Sequence, residues 1–286
     1  AEVIALLGAT PVFVDIYEKT YNLNASGIKK AIIDSKEKGL NPKAIIPVDL
    51  FGLPARYRMI ENIARKYGLF IIEDSAQGYG GRIKNRKACS FGDAGTTSFF
   101  PAKPLGCYGD GGAIFTNDDE LSQIIKSIRN HGAGSDKYNN IRYGINGRLD
   151  TIQAGVLLEK FKIFKDEIEL RQQIANRYNN GISDKYITPF IPINYETSWA
   201  QYCILIPKNI KRSDVIKKLE INDIPTMVYY PIPLHLQTVY KALEYEKGDF
   251  PISEKISERI LALPMHPYLK RKKQNTIIEG LNNICN

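Results

Sequence analysis

One lysine, Lys103, stands between an apolar stretch and a glycine-rich turn, in Thr96-Thr-Ser-Phe-Phe-Pro-Ala-Lys-Pro-Leu-Gly-Cys-Tyr-Gly-Asp-Gly-Gly112. Upstream, the apolar run of Leu69-Phe-Ile-Ile-Glu-Asp-Ser-Ala-Gln77 ends in carboxylates and an amide. A lysine amine at a strand end can form a Schiff base. A carboxylate at a neighbouring strand end can keep a pyridine nitrogen protonated, the state in which the ring is the stronger electron sink. Lys103 with Asp74 is thus the pair of groups that pyridoxal phosphate chemistry requires. Gln77 is placed to hold the ring or its hydroxyl, and Ser98, five residues before Lys103, to donate to a phosphate. Strand alternation points Glu73 the opposite way from Asp74.

Each residue has a plainer alternative. A lysine near glycines is usually a surface lysine, Asp74 could cap a helix, and Ser98 could be a buried strand hydroxyl. Their joint occurrence at strand ends favours the chemical reading. Gly106-x-x-Gly-x-Gly-Gly112 superficially resembles a dinucleotide loop, but such a loop leads into a helix. Here it leads into the apolar run Ala113-Ile-Phe-Thr116, so the nicotinamide reading fails.

The elements that must position these groups alternate. Strands are expected at 11–15, 43–50, 69–73, 95–100 and 113–116. Helices are expected at 27–38, capped by Ser26 and ended by Gly39, and at 57–67, ended by Gly68. Asn117-Asp-Asp-Glu120 reads as a capping box for a helix to about His131. Such βαβ alternation implies a mainly parallel sheet with helices on both faces, and ligands bind at the carboxyl ends of its strands. Residues 149–178 form one long amphipathic helix, of the kind that often links two domains. Beyond Asn180-Gly181 come a strand at 201–207, a helix from a Ser213 cap to about Glu220, an extended segment at 226–233 and a closing helix at 277–284. The expected division is a large domain over 1–148, a linking helix over 149–180 and a small α+β domain over 181–286.

The 286 residues are 43% hydrophobic and 24% charged, with a net charge of +8. That is a soluble globular composition, long enough for two domains. Cys89, Cys107, Cys203 and Cys285 lie far apart and only three histidines are present, so neither a disulfide framework nor a structural zinc site is expected, and a cytoplasmic location fits. The run Lys270-Arg-Lys-Lys273 reads as a solvated helix start, and no basic-aromatic stripe points to nucleic acid. The chain begins without Met and apparently in mid-helix, which reads as a missing N-terminal segment.

Glu73-Asp-Ser-Ala-Gln77, Gly92-Asp93, Ser98-Phe-Phe-Pro-Ala-Lys103 and Gly109-Asp-Gly-Gly112 together resemble the signature of the DegT/DnrJ/EryC1/StrS nucleotide-sugar aminotransferases. The resemblance extends through Ala9-Thr-Pro-Val-Phe-Val-Asp-Ile16, Gly144-Ile-Asn-Gly-Arg-Leu-Asp150 and Leu263-Pro-Met-His-Pro-Tyr-Leu269. It implies a fold-type I pyridoxal 5'-phosphate enzyme. In detail it is closest to aminotransferases acting on UDP-linked 2-acetamido-3-keto-hexuronic acids, through Phe99 to Gly112 and Tyr230-Pro-Ile-Pro-Leu234.

Carried over on matching positions, the resemblance makes Lys103 the Schiff-base lysine and proton carrier. Asp74 would pair with the pyridinium nitrogen, Gln77 would contact the ring, and Ser98 would bind the phosphate. Asn146 would reach the phosphate of a neighbouring subunit's cofactor in a homodimer. Arg148 would be a candidate for the substrate's carboxylate or diphosphate, with a surface ion pair as its alternative. Tyr230 matches a substrate-contacting position, and Tyr229 stands where close relatives have a substrate-contacting His. L-glutamate is the implied amino donor. The resemblance also implies an N-terminal phosphate anchor and ring-stacking aromatic that this chain lacks, so it is expected to bind cofactor poorly. Two alternatives stand beside this reading: a 4-keto-sugar aminotransferase, and a non-catalytic fragment. Lys103 argues against a related dehydratase branch, which has His there.

Overall fold

The computed structural model describes residues 1–136 and 138–285. After the short helix α1 (Glu2–Leu6), the chain reaches α2 (Ala25–Glu37), β1 (Ala44–Ile45), α3 (Tyr57–Tyr67) and β2 (Phe70–Asp74). Two short strands, β3 (Arg82–Ile83) and β4 (Arg86–Lys87), precede β5 (Ala94–Ser98), β6 (Gly112–Phe115) and α4 (Asp119–Arg129). The 31-residue α5 (Thr151–Gly181) follows. The remainder comprises β7 (Tyr195–Glu196), β8 (Tyr202–Leu205), α6 (Arg212–Glu220), α7 (Pro251–Arg259), β9 (Ile260–Leu263) and α8 (Arg271–Cys285).

The main sheet has the order β1-β2-β5-β6. β1, β2 and β5 are parallel, and β6 returns antiparallel to β5. The expected mainly parallel α/β sheet is therefore present. A second, two-stranded sheet pairs β8 with β9, and β3, β4 and β7 form a small antiparallel sheet. α2 and α3 bury Ile28, Ile32, Ile60 and Ala64 against Ile45, Ile71 and Phe91 of the sheet layer. Gly68 ends α3 in the left-handed region, φ 64°, as a residue without Cβ does readily.

Several local expectations give way to tertiary contacts. Residues 11–15 form no strand. Phe13 packs edge-on to Tyr240 and Phe250, and both Asp15 carboxylate oxygens accept main-chain N–H bonds at the start of α7. The strand expected at 43–50 regularises only over two residues, because Pro47 has no N–H to extend the ladder. α2 is capped by Asn24, whose side chain accepts from Ser26 N, rather than by Ser26. α4 is capped by Asp118, which accepts from Leu121 N, rather than by Asn117. α6 has no side-chain cap, so Ser213 does not play that part. β9 and α7 went unread because a short apolar run such as Ile260-Leu-Ala-Leu263 has no diagnostic period. α8 starts at Arg271, earlier than the expected 277, and the basic run is its solvated first turn.

The first half of α5 places Leu157 and Phe164 against Phe99, Leu105 and Cys107. Its second half places Ile174, Ala175 and Tyr178 in the core built by β8, β9, α6 and α8. Cys89, Cys107 and Cys203 are buried free thiols. Among the described residues no helix is long and apolar enough to cross a membrane.

Ile174, 1% exposed, is expected to carry much of the α5 contact with the second core. Ile174→Ala should lower unfolding free energy by about 2–5 kcal/mol in urea titration, whereas a change at exposed Lys208 should stay within about 0.5 kcal/mol.

Candidate active site

β2 and β5 pair in parallel, with Glu73 opposite Gly95 and Asp74 opposite Thr96. Both strands therefore end on the same edge of the sheet, which brings Asp74 beside the segment that follows Ser98. That segment turns tightly. Phe100 N donates to Ser98 Oγ at 3.2 Å, Lys103 N to Phe100 O at 2.9 Å, and Cys107 N to Phe99 O at 2.8 Å. A Cβ on Gly106 would lie 2.6 Å from Pro101 O, so the turn closes only around glycine. Here Gly106 serves close backbone approach, and the run leads into β6 rather than a helix.

Lys103 is half-buried. Burial pulls its amine below the ordinary lysine range, and the Asp74 carboxylate partly opposes this. Asp74 Oδ1 accepts from Ala76 N at 3.1 Å. Among the described residues no hydrogen bond engages Oδ2, so that oxygen is open to an N–H donor. Asp74 N donates to Pro47 O and Asp49 N to Asp74 O, both at 2.9 Å, which fixes the strand end from the β1 side.

Gln77 is buried, and its amide orientation follows from its partners. Phe51 N donates to its Oε1 at 2.6 Å, so its Nε2 faces the Tyr230 hydroxyl at 3.3 Å. Ser198 Oγ holds the Gln77 carbonyl at 2.6 Å. Burial pushes the Tyr230 hydroxyl above its ordinary range; the Gln77 bond opposes this, and Tyr229, Cys203 and Asp74 add to it. The Tyr229 and Tyr230 rings meet edge-on at 5.6 Å. Lys103, Asp74, Gln77 and Tyr230 thus form one neighbourhood, with Tyr229 against Tyr230 and Ser98 at the start of the lysine turn.

Asn146 and Arg148 stand apart on an exposed segment. Arg148 Nε donates to Asn146 Oδ1 at 2.9 Å, and Asn146 bridges to Asn130. Among the described residues no hydrogen bond or ion pair ties either to the Lys103 group. Asp49 and Glu73 also lie here: Glu73 points away from Asp74 as strand alternation predicts, and Asp49 was not among the expected site residues. Both are fully buried carboxyls directly behind the strand end. Asp49 carried a signal of the same kind as Asp74, a carboxylate closing the apolar run Ala44 to Val48, but its strand is too short to be conspicuous.

These groups fit a pyridoxal phosphate: a half-buried amine shifted toward neutrality, an open carboxylate oxygen, and a Ser98 hydroxyl whose oxygen accepts locally while its hydrogen stays available.

The chain belongs to the DegT/DnrJ/EryC1/StrS aminotransferase family, whose model matches residues 1–282. It is a PLP-dependent aminotransferase. It is 45% identical over 284 residues to the UDP-2-acetamido-2-deoxy-3-oxo-D-glucuronate aminotransferase of Pseudomonas aeruginosa, covering 99% of this chain and 76% of that protein. A crystal structure of a family aminotransferase from Brucella abortus superposes with a TM-score of 0.95 at 50% identity, covering 99% of this chain and 76% of that one. NtdA of Bacillus subtilis, solved with bound cofactor PMP, superposes with a TM-score of 0.87 at 28% identity, covering 99% of this chain and 64% of that one.

Because burial lowers the Lys103 amine while Asp74 raises it, Asp74→Asn should lower it further. The pH dependence of amine acetylation, followed by peptide mass mapping without cofactor, checks this. Lys103 should be half-modified at a lower pH than the exposed lysines, and at a lower pH still in Asp74→Asn.

Proposed function

We propose that this protein transfers an amino group from L-glutamate to a UDP-linked 3-keto sugar, a 2-acetamido hexuronic acid, for surface polysaccharide or glycan synthesis. The observation that carries the proposal is the 45% identity to the P. aeruginosa 3-oxo-glucuronate aminotransferase across nearly the whole chain. The Lys103 neighbourhood supports it. When bound, pyridoxal phosphate supplies an electron sink for charge developing at the substrate carbon.

Asp74 would hold the proton on the ring nitrogen, Gln77 would contact the ring and Ser98 would donate to the phosphate. Lys103 Nζ, kept toward its neutral form by burial, serves as nucleophile and afterwards carries the proton between donor and acceptor carbons. Tyr230, oriented by Gln77, and Tyr229 beside it face the sugar. The protein works as a cytoplasmic homodimer on this reading. Asn146 and Arg148 then reach across to the partner's site, Asn146 toward the phosphate and Arg148 toward an anionic substrate group, where a planar guanidinium suits a carboxylate or diphosphate. Their exposure, and the lack among the described residues of a hydrogen bond or ion pair to their own Lys103 group, accord with that role.

The deciding experiment is a panel of UDP- and dTDP-linked 3-keto and 4-keto sugars with glutamate as donor. Amination of the UDP-linked 3-keto uronic acid is expected; activity confined to 4-keto, non-uronic sugars would replace this reading with the 4-keto one. Lys103→Ala should abolish turnover and the visible absorbance that pyridoxal phosphate gains on the wild-type protein. Arg148→Ala should raise KM for the anionic substrate about tenfold, the loss of one hydrogen bond to a charged group.

A further inference from the structure

Two carboxyls that the proposed reaction does not use sit behind the Asp74 strand end. Asp49 and Glu73 are each 0% exposed. Asp49 collects three donors: Ala55 N at 2.9 Å and the Tyr57 hydroxyl at 2.7 Å on Oδ1, and the Ser75 hydroxyl at 2.8 Å on Oδ2. Glu73 collects two, Cys89 N at 2.6 Å and Phe91 N at 2.8 Å, one on each oxygen. The parallel bridge of Val48 to Asp74 turns the Asp49 and Glu73 side chains to the same face of adjacent strand ends, and each carboxyl acts on the other. Two carboxylates cannot both stay charged in such a place, because each would face the other's charge without water.

Among the described residues no ion pair reaches either carboxyl. Beyond burial, the pair raises Tyr57 and Cys89, and Asp49 raises Tyr195; Asp74 also acts on Tyr57, and the Arg56 guanidinium acts on Tyr195. Burial pushes the Tyr57 hydroxyl and the Cys89 thiol up, so both keep their protons. Asp49, with more donors, is the better seat for the one negative charge. Glu73 then carries the proton and donates it to Asp49. Burial lifts both carboxyls, and the neighbouring Asp49 charge lifts Glu73 further.

The pair is built into the two residues that flank the ring position. Asp49 N donates to Asp74 O, and Asp49 O accepts from Gly52 N in the turn whose Phe51 N orients the Gln77 amide. The Asp49 side chain holds Ser75, the residue between Asp74 and Ala76. A Cβ on Gly78 would lie 2.5 Å from Asp49 Oδ2, so the helical turn after Gln77 closes directly on this carboxylate.

We propose that Asp49 and Glu73 share one buried proton, and that this pair is the positioning element that sets where Asp74 and Gln77 meet the cofactor. The positioning half rests on the reading that pyridoxal phosphate binds at Asp74; the shared proton does not. The pair acts through Asp74 and Gln77 and touches neither substrate nor cofactor.

The sign of the pH effect follows from linkage. A carboxyl whose folded-state affinity for protons exceeds its unfolded one contributes stability that is full below its unfolded pKa and is lost as pH rises. Wild-type stability should therefore fall between about pH 6, where Asp49 has titrated, and about pH 8 on account of Glu73. Glu73→Gln keeps a donor toward Asp49 and an acceptor for one of the two main-chain N–H groups, gives up the other, and cannot titrate. It should remove that slope while holding pyridoxal phosphate within about threefold of wild type, less than the loss of one charged hydrogen bond.

Asp49→Asn turns one acceptor into a donor facing donors, and should loosen the cofactor about tenfold at the same pH. Should Asp49→Asn not fold, Ser75→Ala serves instead: with one donor fewer on Asp49, the stability slope should extend to higher pH and cofactor binding should weaken. Thermal melts across pH and cofactor titration by absorbance read these outcomes. A wild-type slope retained in Glu73→Gln overturns the shared proton. Wild-type cofactor affinity in both Asp49→Asn and Ser75→Ala overturns the positioning role. Absence of any saturable cofactor binding by wild type across the titration, as opposed to weak binding, overturns that role together with the functional reading, while the melts still decide the shared proton.

Discussion

The parallel pairing of β2 with β5 is the constraint on which the site depends. The two strands lie inside a sheet, where main-chain N–H and C=O groups need partners, and the register Ile72–Ala94, Glu73–Gly95, Asp74–Thr96 supplies them. Side-chain hydroxyls reinforce it past the strand end. Thr96 Oγ1 donates to Glu73 O at 3.1 Å and Thr97 Oγ1 to Ser75 O at 3.0 Å. A slip by one residue would exchange the faces of Glu73 and Asp74. It would carry the site carboxylate into the core and set Glu73 at the edge. The same pairing delivers Ser98 to that edge, and the turn closed on Gly106 brings Lys103 back to Asp74.

Burial then acts on opposite chemistries in one direction. Removing water disfavours charge, so it draws the Lys103 amine toward its neutral, nucleophilic form and leaves Glu73 a neutral acid. Neither group would behave so on the surface. The edge of the sheet is thus divided by depth. The outer layer, with Lys103, Asp74 and Tyr230, is half-buried, while the inner layer, with Asp49, Glu73 and Tyr57, is closed and hydrogen-bonded. The inner layer has little apolar character, yet its polar groups are matched, which is the condition under which buried polar groups are tolerated.

α5 joins this edge to the rest of the chain. Its first half packs Leu157 and Phe164 beneath the lysine turn, and its second half lies in the core of β8, β9, α6 and α8. Tyr229 and Tyr230 come from the segment beside β9, where Met227 bridges to Ala262. Tyr229 and Tyr230 therefore come from beside one sheet and Asp74 from the end of another, and the Gln77–Tyr230 bond connects the two regions.

What residue types and spacing determined by themselves was the chemistry and its order along the chain. The runs Leu69 to Gln77 and Thr96 to Gly112 named Asp74, Gln77, Ser98 and Lys103, because a buried strand shows as a continuous apolar run and a polar residue closing it stands out. Long elements such as α3 and α5 were legible for the same reason: period and cap signals accumulate with length. Short pieces were not, since β1, β7 and β9 offer too few residues for a period, and α2 and α4 each offered more than one residue able to cap. Tertiary structure alone decided which side chains meet. The Gln77–Tyr230 bond spans 153 positions, and the carboxyl pair joins Asp49 to a glutamate that strand alternation had only turned away from the site. Such contacts leave no local trace, because pairing and burial, rather than propensity, set both the partners of a polar group and its charge.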